Sequence, residues 1–237
     1  MTALPSTSPI TGPAQSRLVQ VRTKILKEND VVARALRKSF EDAGVYVISL
    51  VSSPGAGKTM FLEKTLLALR DRFRVAALVG DLATDNDARR LARSEVPVKQ
   101  ITTGTTCHLE AEMVRTALDG WDLNDLDVLF IENVGNLVCP ASYDLGENLR
   151  LVLFSVTEGE DKPLKYPTIF NTADLAVITK ADLAEAAEFD SALATKNIQT
   201  VRPGMPIISV SAKSGVGMNE WVNSVATHVA ESRSAAS

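Results

Sequence analysis

The eight residues Ser52–Thr59, Ser-Ser-Pro-Gly-Ala-Gly-Lys-Thr, restrict what this chain can fold into more than any other stretch. The apolar run Val45–Val51 leads into them and reads as a buried strand. Met60–Arg70 follows as a helix, with Phe61, Leu62, Leu66 and Leu69 on one side. Strand, glycine-rich turn, Lys-Thr and helix form the context of a phosphate-binding loop. Gly55 and Gly57 let the backbone curl after Pro54, which has no N–H of its own, so that the N–H groups of Gly55-Ala56-Gly57 through Met60 surround anionic oxygens. Lys58 places a positive charge on the β/γ-phosphates, and Thr59 offers a hydroxyl to Mg²⁺. Ser52 stands where the pattern G-x-x-x-x-G-K-[ST] has its first glycine. An ordinary Pro-Gly turn between strand and helix is the alternative.

The chain has 237 residues, 45% of them hydrophobic, which suits one α/β domain with extra segments and a sizeable core. A net charge of −4 gives no support for a nucleic-acid partner. Two cysteines, Cys107 and Cys139, make no disulfide framework and fit a reducing cytoplasm. No apolar run reaches membrane-spanning length, and no basic segment followed by an apolar core opens the chain, so neither a membrane span nor a signal peptide is expected.

Residues 1–15, with Pro5, Pro9 and Pro13 among Ser and Thr, read as a disordered tail without a His- or Cys-rich metal store. Residues 16–43 read as an N-terminal helical extension: Leu18, Val21, Ile25, Val32, Leu36 and Phe40 recur at helical spacing, and Asn29-Asp30 suggests a break into two helices. Arg17, Arg22, Lys24, Lys27, Arg34, Arg37 and Lys38 make it basic, either as a solvated face or as a docking arm for an acidic partner. Residues 44–232 form the main domain, and 233–237 a disordered tail. Further strands are expected at 75–79, 97–102, 127–132, 149–156, 174–179 and 206–210, and further helices at 107–118, 184–196 and 218–231, with 157–167 a charged loop. The fold class is therefore α/β: a P-loop NTPase with a doubly wound, mostly parallel sheet of about seven strands and helices on both faces.

The carboxyl ends of these strands carry the chemistry, as expected where an open sheet faces its ligand. Asp81 follows the second strand and is a candidate Mg²⁺ ligand. Thr84–Asp87 is a candidate switch loop, with Asp85 and Asp87 alternatively capping a helix at Ala88–Arg93. Asp127–Glu132 is an apolar strand ending in an acid that acts near Mg²⁺ or the attacking water, and it continues as the switch Glu132-Asn133-Val134-Gly135. Thr179-Lys180-Ala181-Asp182 and Ser211-Ala212-Lys213 supply a guanine reader: Asp182 accepts from the base, Lys180 lies along it, and the Ala212 N–H approaches its carbonyl. Thr179 replaces the usual Asn, which predicts weaker local bracing. Lys58, Asp81 and Glu132 are the candidate catalytic residues. Cys107-His108 at a predicted helix start, with its thiol acidified there, and Cys139 on another strand-end loop offer soft or borderline metal ligands. Two unligated small cysteines and a polar-loop histidine are the competing reading.

Taken together these motifs resemble the hydrogenase nickel incorporation GTPases, the HypB family, related to the urease accessory GTPases. The resemblance spans about 16–231 and rests on Leu50–Thr59, Gly80–Asp87, Cys107–Ala111, Phe130–Ala141 and Ser155–Pro167. Ala141 after Cys139-Pro140, where the urease relatives have His, favours the hydrogenase branch. The resemblance implies a GTP-hydrolysing homodimer joined through its metal-site and nucleotide face. It implies Ni²⁺ or Zn²⁺ on Cys107, His108 and Cys139, and Mg²⁺ between Thr59, Asp81 and Glu132. It implies partners among the hydrogenase maturation proteins and the hydrogenase large-subunit precursor. Two alternatives remain at this level: a metal carrier whose affinity ignores the nucleotide, and a urease-type accessory GTPase. A P-loop kinase is a weaker one, since it needs no guanine reader.

Overall fold

The computed structural model of the protein describes residues 13–82 and 86–236. Residues 1–12 of the expected tail, and Thr84 and Asp85 of the expected switch loop, lie outside the described residues. A 30-residue helix α1 (Pro13–Asp42) comes first, followed by β1 (Tyr46–Ser52), α2 (Lys58–Leu69), β2 (Val75–Asp81) and α3 (Asn86–Leu91). Next are β3 (Val98–Thr102), α4 (Ala111–Ala117), β4 (Val128–Glu132), β5 (Leu149–Ser155), α5 (Lys162–Lys165) and α6 (Pro167–Thr172). The chain ends with β6 (Leu175–Thr179), α7 (Ser191–Val201), β7 (Ile207–Ser209) and α8 (Met218–Ala236).

The seven strands form one sheet in the order β3-β2-β4-β1-β5-β6-β7, with every neighbouring pair parallel. Parallel strands covered on both faces read as unbroken apolar runs, which is why the sequence displays them clearly. Alternation sorts their side chains. Tyr46, Ile48, Leu50, Val128 and Phe130 pack with α2 and α8, whereas Val47, Leu129 and Ile131 pack with α1 and α4. The α2–α8 layer is tied by Trp221 Nε1, which donates to Thr65 Oγ1 at 2.9 Å. A third cluster around Phe154, Ile169, Phe170 and Ile198 fills the side of α6 and α7.

Several local expectations differ from the structure. The N-terminal helix begins at Pro13 and runs unbroken through Asn29-Asp30, because the Asn29 side chain bonds outward to two other segments instead of competing with its own backbone. Its second half is anchored by Ala33, Leu36 and Phe40, while Val21 and Ile25 face solvent. Cys107–Glu110 is not helical, so α4 starts four residues later than expected. The helix expected at 184–196 starts at Ser191, where the Asp190 carboxylate accepts from Leu193 N–H. The charged segment 157–167 contains α5 instead of being all loop, and α8 extends through most of the expected C-terminal tail.

Candidate functional site

The carboxyl ends of β1, β2, β4 and β6 open onto a cavity of about 600 Å³. Pro54, Gly55, Ala56, Gly57, Lys58, Thr59, Met60, Gly135, Lys180, Asp182, Ala212 and Lys213 all line it, together with Asp81. Gly55 and Gly57 have φ of 78° and 90°, left-handed conformations that an L side chain would strain. Ser52 needs no such freedom. It is the last residue of β1, and its hydroxyl donates to the Ser53 carbonyl at 2.8 Å.

The corner expected to read guanine is braced by bonds within the protein. Thr179 Oγ1 donates to the Ala56 carbonyl at 2.5 Å, so threonine supplies the brace that its replacement of Asn was expected to weaken. Lys180 adopts φ 57° and donates from Nζ to the Gly55 carbonyl at 2.7 Å. Ser211 does not line the cavity. Its hydroxyl donates to Asp182 Oδ1 at 2.6 Å and thereby orients that carboxylate.

The β1–β4 register sets Glu132 opposite Leu50, just behind the loop. Glu132 is buried; Thr59 Oγ1 donates to its Oε1 at 2.7 Å, and Lys58 Nζ lies 3.2 Å from the same oxygen. Burial pushes its carboxyl above the usual range, opposed by the Lys58 charge and the Thr59 bond and assisted by Asp87. Its other oxygen, Oε2, is buried with no hydrogen-bond partner, the state of a group shaped for a ligand outside the protein. Asp87, Arg90, Val134 and Leu183 also line the cavity, and sequence reasoning did not single them out as ligands. Arg90 is held by Glu63 at 2.9 Å. Only the position of α3 beside α2 brings these two together, and no short motif records that.

A second centre lies beside the first. Cys107, His108 and Cys139 bring their ligand atoms within 4.8 Å of one another. The two sulfurs are 2.9 Å apart, and this contact, with burial, raises the Cys139 thiol above its usual value. The helix start expected at Cys107 lies at Ala111 instead, so Cys107 is not a helix N-terminal residue. Both ring nitrogens of His108 are buried without a hydrogen bond; Nε2 sits 3.5 Å from Glu110 Oε1, outside bonding geometry. Burial lowers the His108 pKa, which favours the neutral, ligand-competent ring. The Tyr143 ring packs on it at 4.0 Å between centroids.

The two centres share a backbone. From Glu132 the chain reaches Cys139 in seven residues. Along the way Asn133 Oδ1 accepts from Leu109 N–H and Val134 N–H, and Asn136 Nδ2 donates to the Cys107 carbonyl at 3.3 Å. A Cβ on Gly135 would stand 3.2 Å from Pro54, so this strip runs directly against the phosphate loop.

Fold and site define a nucleotide-binding protein of the P-loop class. Residues 46–209 match the CobW/HypB/UreG nucleotide-binding domain. The chain is 47% identical over 211 residues to hydrogenase maturation factor HypB of Azotobacter chroococcum mcd 1, covering 89% of this chain and 69% of that protein. Against the hydrogenase/urease maturation factor HypB of Helicobacter pylori (strain ATCC 700392 / 26695) it is 43% identical over 209 residues, covering 86% of each. The crystal structure of HypB from Helicobacter pylori in complex with nickel superposes with a TM-score of 0.81 at 42% identity, covering 86% of this chain and 96% of that one. HypB from Archaeoglobus fulgidus gives 0.80 at 36% identity, covering 86% and 99%. The chain belongs to the HypB hydrogenase maturation factors within the CobW/HypB/UreG family.

Proposed function

We propose that this protein hydrolyses GTP with Mg²⁺, that its nucleotide state governs a nickel site, and that it delivers nickel to a [NiFe]-hydrogenase large-subunit precursor with other maturation proteins. The observation that carries this reading is the short strip from Glu132 to Cys139, pressed on Pro54 and bonded to the Cys107 carbonyl. A shift at the phosphates has few residues in which to dissipate before it reaches the thiols.

Asp182 accepts from guanine N1–H and its exocyclic amine, a donor pair that adenine lacks. Lys58 and the loop N–H groups stabilise charge on the β- and γ-phosphate oxygens. Thr59, Asp81 and Glu132 offer hard oxygen donors, and the unpartnered Glu132 Oε2 suits a cation or its water. When bound there, Mg²⁺ offsets phosphate charge. Glu132 orients the attacking water, directly or through the cation's own water.

Two sulfurs and an imidazole suit Ni²⁺ and also Zn²⁺. The unpartnered nitrogens of His108 favour a ligating histidine over a packed one. The nickel complex of the Helicobacter pylori relative favours nickel as the cargo. Val138, exposed beside Cys139, is an apolar contact that suits a homodimer joined at this face. Free thiols suit a reducing cytoplasm.

The test is a nickel titration of metal-free protein, once with GDP and Mg²⁺ and once with a non-hydrolysable GTP analogue, with Cys107→Ala in parallel. A coupling of about 1–3 kcal/mol separates the two affinities by roughly 5- to 150-fold, and the variant abolishes the difference. Equal affinities would replace this reading with a carrier in which nucleotide only holds the dimer together.

A further inference from the structure

The metal-ligand loops are each tied to helix α1 by the same side chain. Asn29 is buried in the middle of that helix. Its Oδ1 accepts from Ala111 N–H at 2.8 Å, and its Nδ2 donates to the Asp144 carbonyl at 2.8 Å. Ala111 N–H can only donate and the Asp144 carbonyl can only accept, so these partners determine which way the amide faces. Ala111 lies three residues past His108, and it opens α4, whose N-cap Glu110 makes no side-chain cap. Asn29 therefore satisfies a helix-start donor from another segment. Asp144 directly follows Tyr143, whose ring packs on His108, and lies five residues past Cys139. Arg37, two turns further along α1, grips the Asp144 carboxylate through both terminal nitrogens at 2.8 and 3.1 Å.

The geometry points to Asn29 as a positioning residue of the metal centre: its amide sets the separation of the Cys107-His108 and Cys139 loops. The inference rests on the metal-site reading above. It also makes α1 a strut that holds the ligand set together, beyond any docking role of its basic face. A fixed separation matters because a metal site loses affinity when its ligands must be gathered on binding.

The test uses metal-free, GDP-loaded full-length protein titrated with NiCl₂ and followed by thiolate-to-nickel absorption. The variants are Asn29→Leu, close in size but unable to bond, Asn29→Ala, where water can replace both bonds, and Cys107→Ala. The expected result is about tenfold weaker nickel binding and an altered absorption band in both Asn29 variants. GDP affinity stays within about twofold, because neither Ala111 nor Asp144 lines the nucleotide cavity. Parent-like nickel affinity and absorption in both Asn29 variants, with binding lost in Cys107→Ala, overturns the role of Asn29 and leaves the metal site standing. Equal losses of nickel and GDP affinity also overturn it, since they mark a general structural role. Parent-like binding in Cys107→Ala overturns the metal-site reading itself.

Discussion

The nucleotide cavity and the metal centre are neighbours built in opposite ways. In the Thr179–Asp182 corner of the cavity the polar side chains are already committed: Thr179 to Ala56, Lys180 to Gly55, Ser211 to Asp182. At the candidate metal cluster the ligand atoms are close together, the two sulfurs lie 2.9 Å apart, and both His108 nitrogens are buried without a hydrogen bond. A cavity braced in this way recognises its ligand with little rearrangement. A buried imidazole without a partner is completed only by what binds it, and each uncompensated buried polar group costs about 1–3 kcal/mol until then. Glu132 belongs to both kinds, with Oε1 held by Thr59 and Lys58 and Oε2 unpartnered.

The difference can be tested from its largest expected effect downward. Lys58→Ala removes the charge that lies 3.2 Å from Glu132 and is proposed to serve the phosphates, so phosphate release should fall by roughly two to three orders of magnitude. Near-normal turnover would remove Lys58 from the chemistry. Cys139→Ala takes a ligand from the unfinished site. Nickel affinity measured by isothermal titration should drop by about a hundredfold or more, beyond what outer-shell changes cost, with GDP affinity preserved. A parallel loss of GDP affinity would mean that the two regions are not separately built. Thr179→Val removes one brace while keeping the shape; GDP affinity should weaken by about 1 kcal/mol, and a parent-like dissociation constant would show the brace to be idle.

The smallest effect lies outside both regions and serves as their control. Burial, with Asp174 and Glu231 nearby, raises the Tyr46 phenol to about 12. The folded state thus favours the neutral phenol more than the unfolded state does, where the pKa is about 10. Its stabilising share is complete below that value and is lost as pH rises from about 10 to about 12. Tyr46→Phe should flatten this part of the alkaline unfolding curve and leave GDP and nickel affinities unchanged.

Much of this contrast was legible in the sequence, and unevenly so. Buried parallel strands are written as apolar runs, so the strands and the four motifs at their ends could be placed from residue types alone. What escaped were long-range bonds made by single polar side chains. Asn29 resembles a helix breaker until its partners, Ala111 and Asp144, are seen. Cys107–Leu118 resembles one helix, but Asn133 takes the Leu109 N–H and keeps the segment before Ala111 out of the helix. Thr179 resembles a weakened motif until its hydroxyl is found on Ala56. Asp87 and Arg90 reach the cavity only because α3 lies along α2, a packing relation with no local signature.

The strip from Glu132 to Cys139 also has a consequence that runs in reverse. Coupling between two binding events is symmetric in free energy, so whatever GTP does to nickel affinity, nickel does to GTP affinity by the same factor. If the proposed coupling holds, a filled metal site would alter how tightly nucleotide is bound, through the contact of Gly135 with Pro54. On that proposal the fraction of molecules carrying GTP would report metal supply, and the protein would act as a gauge of nickel.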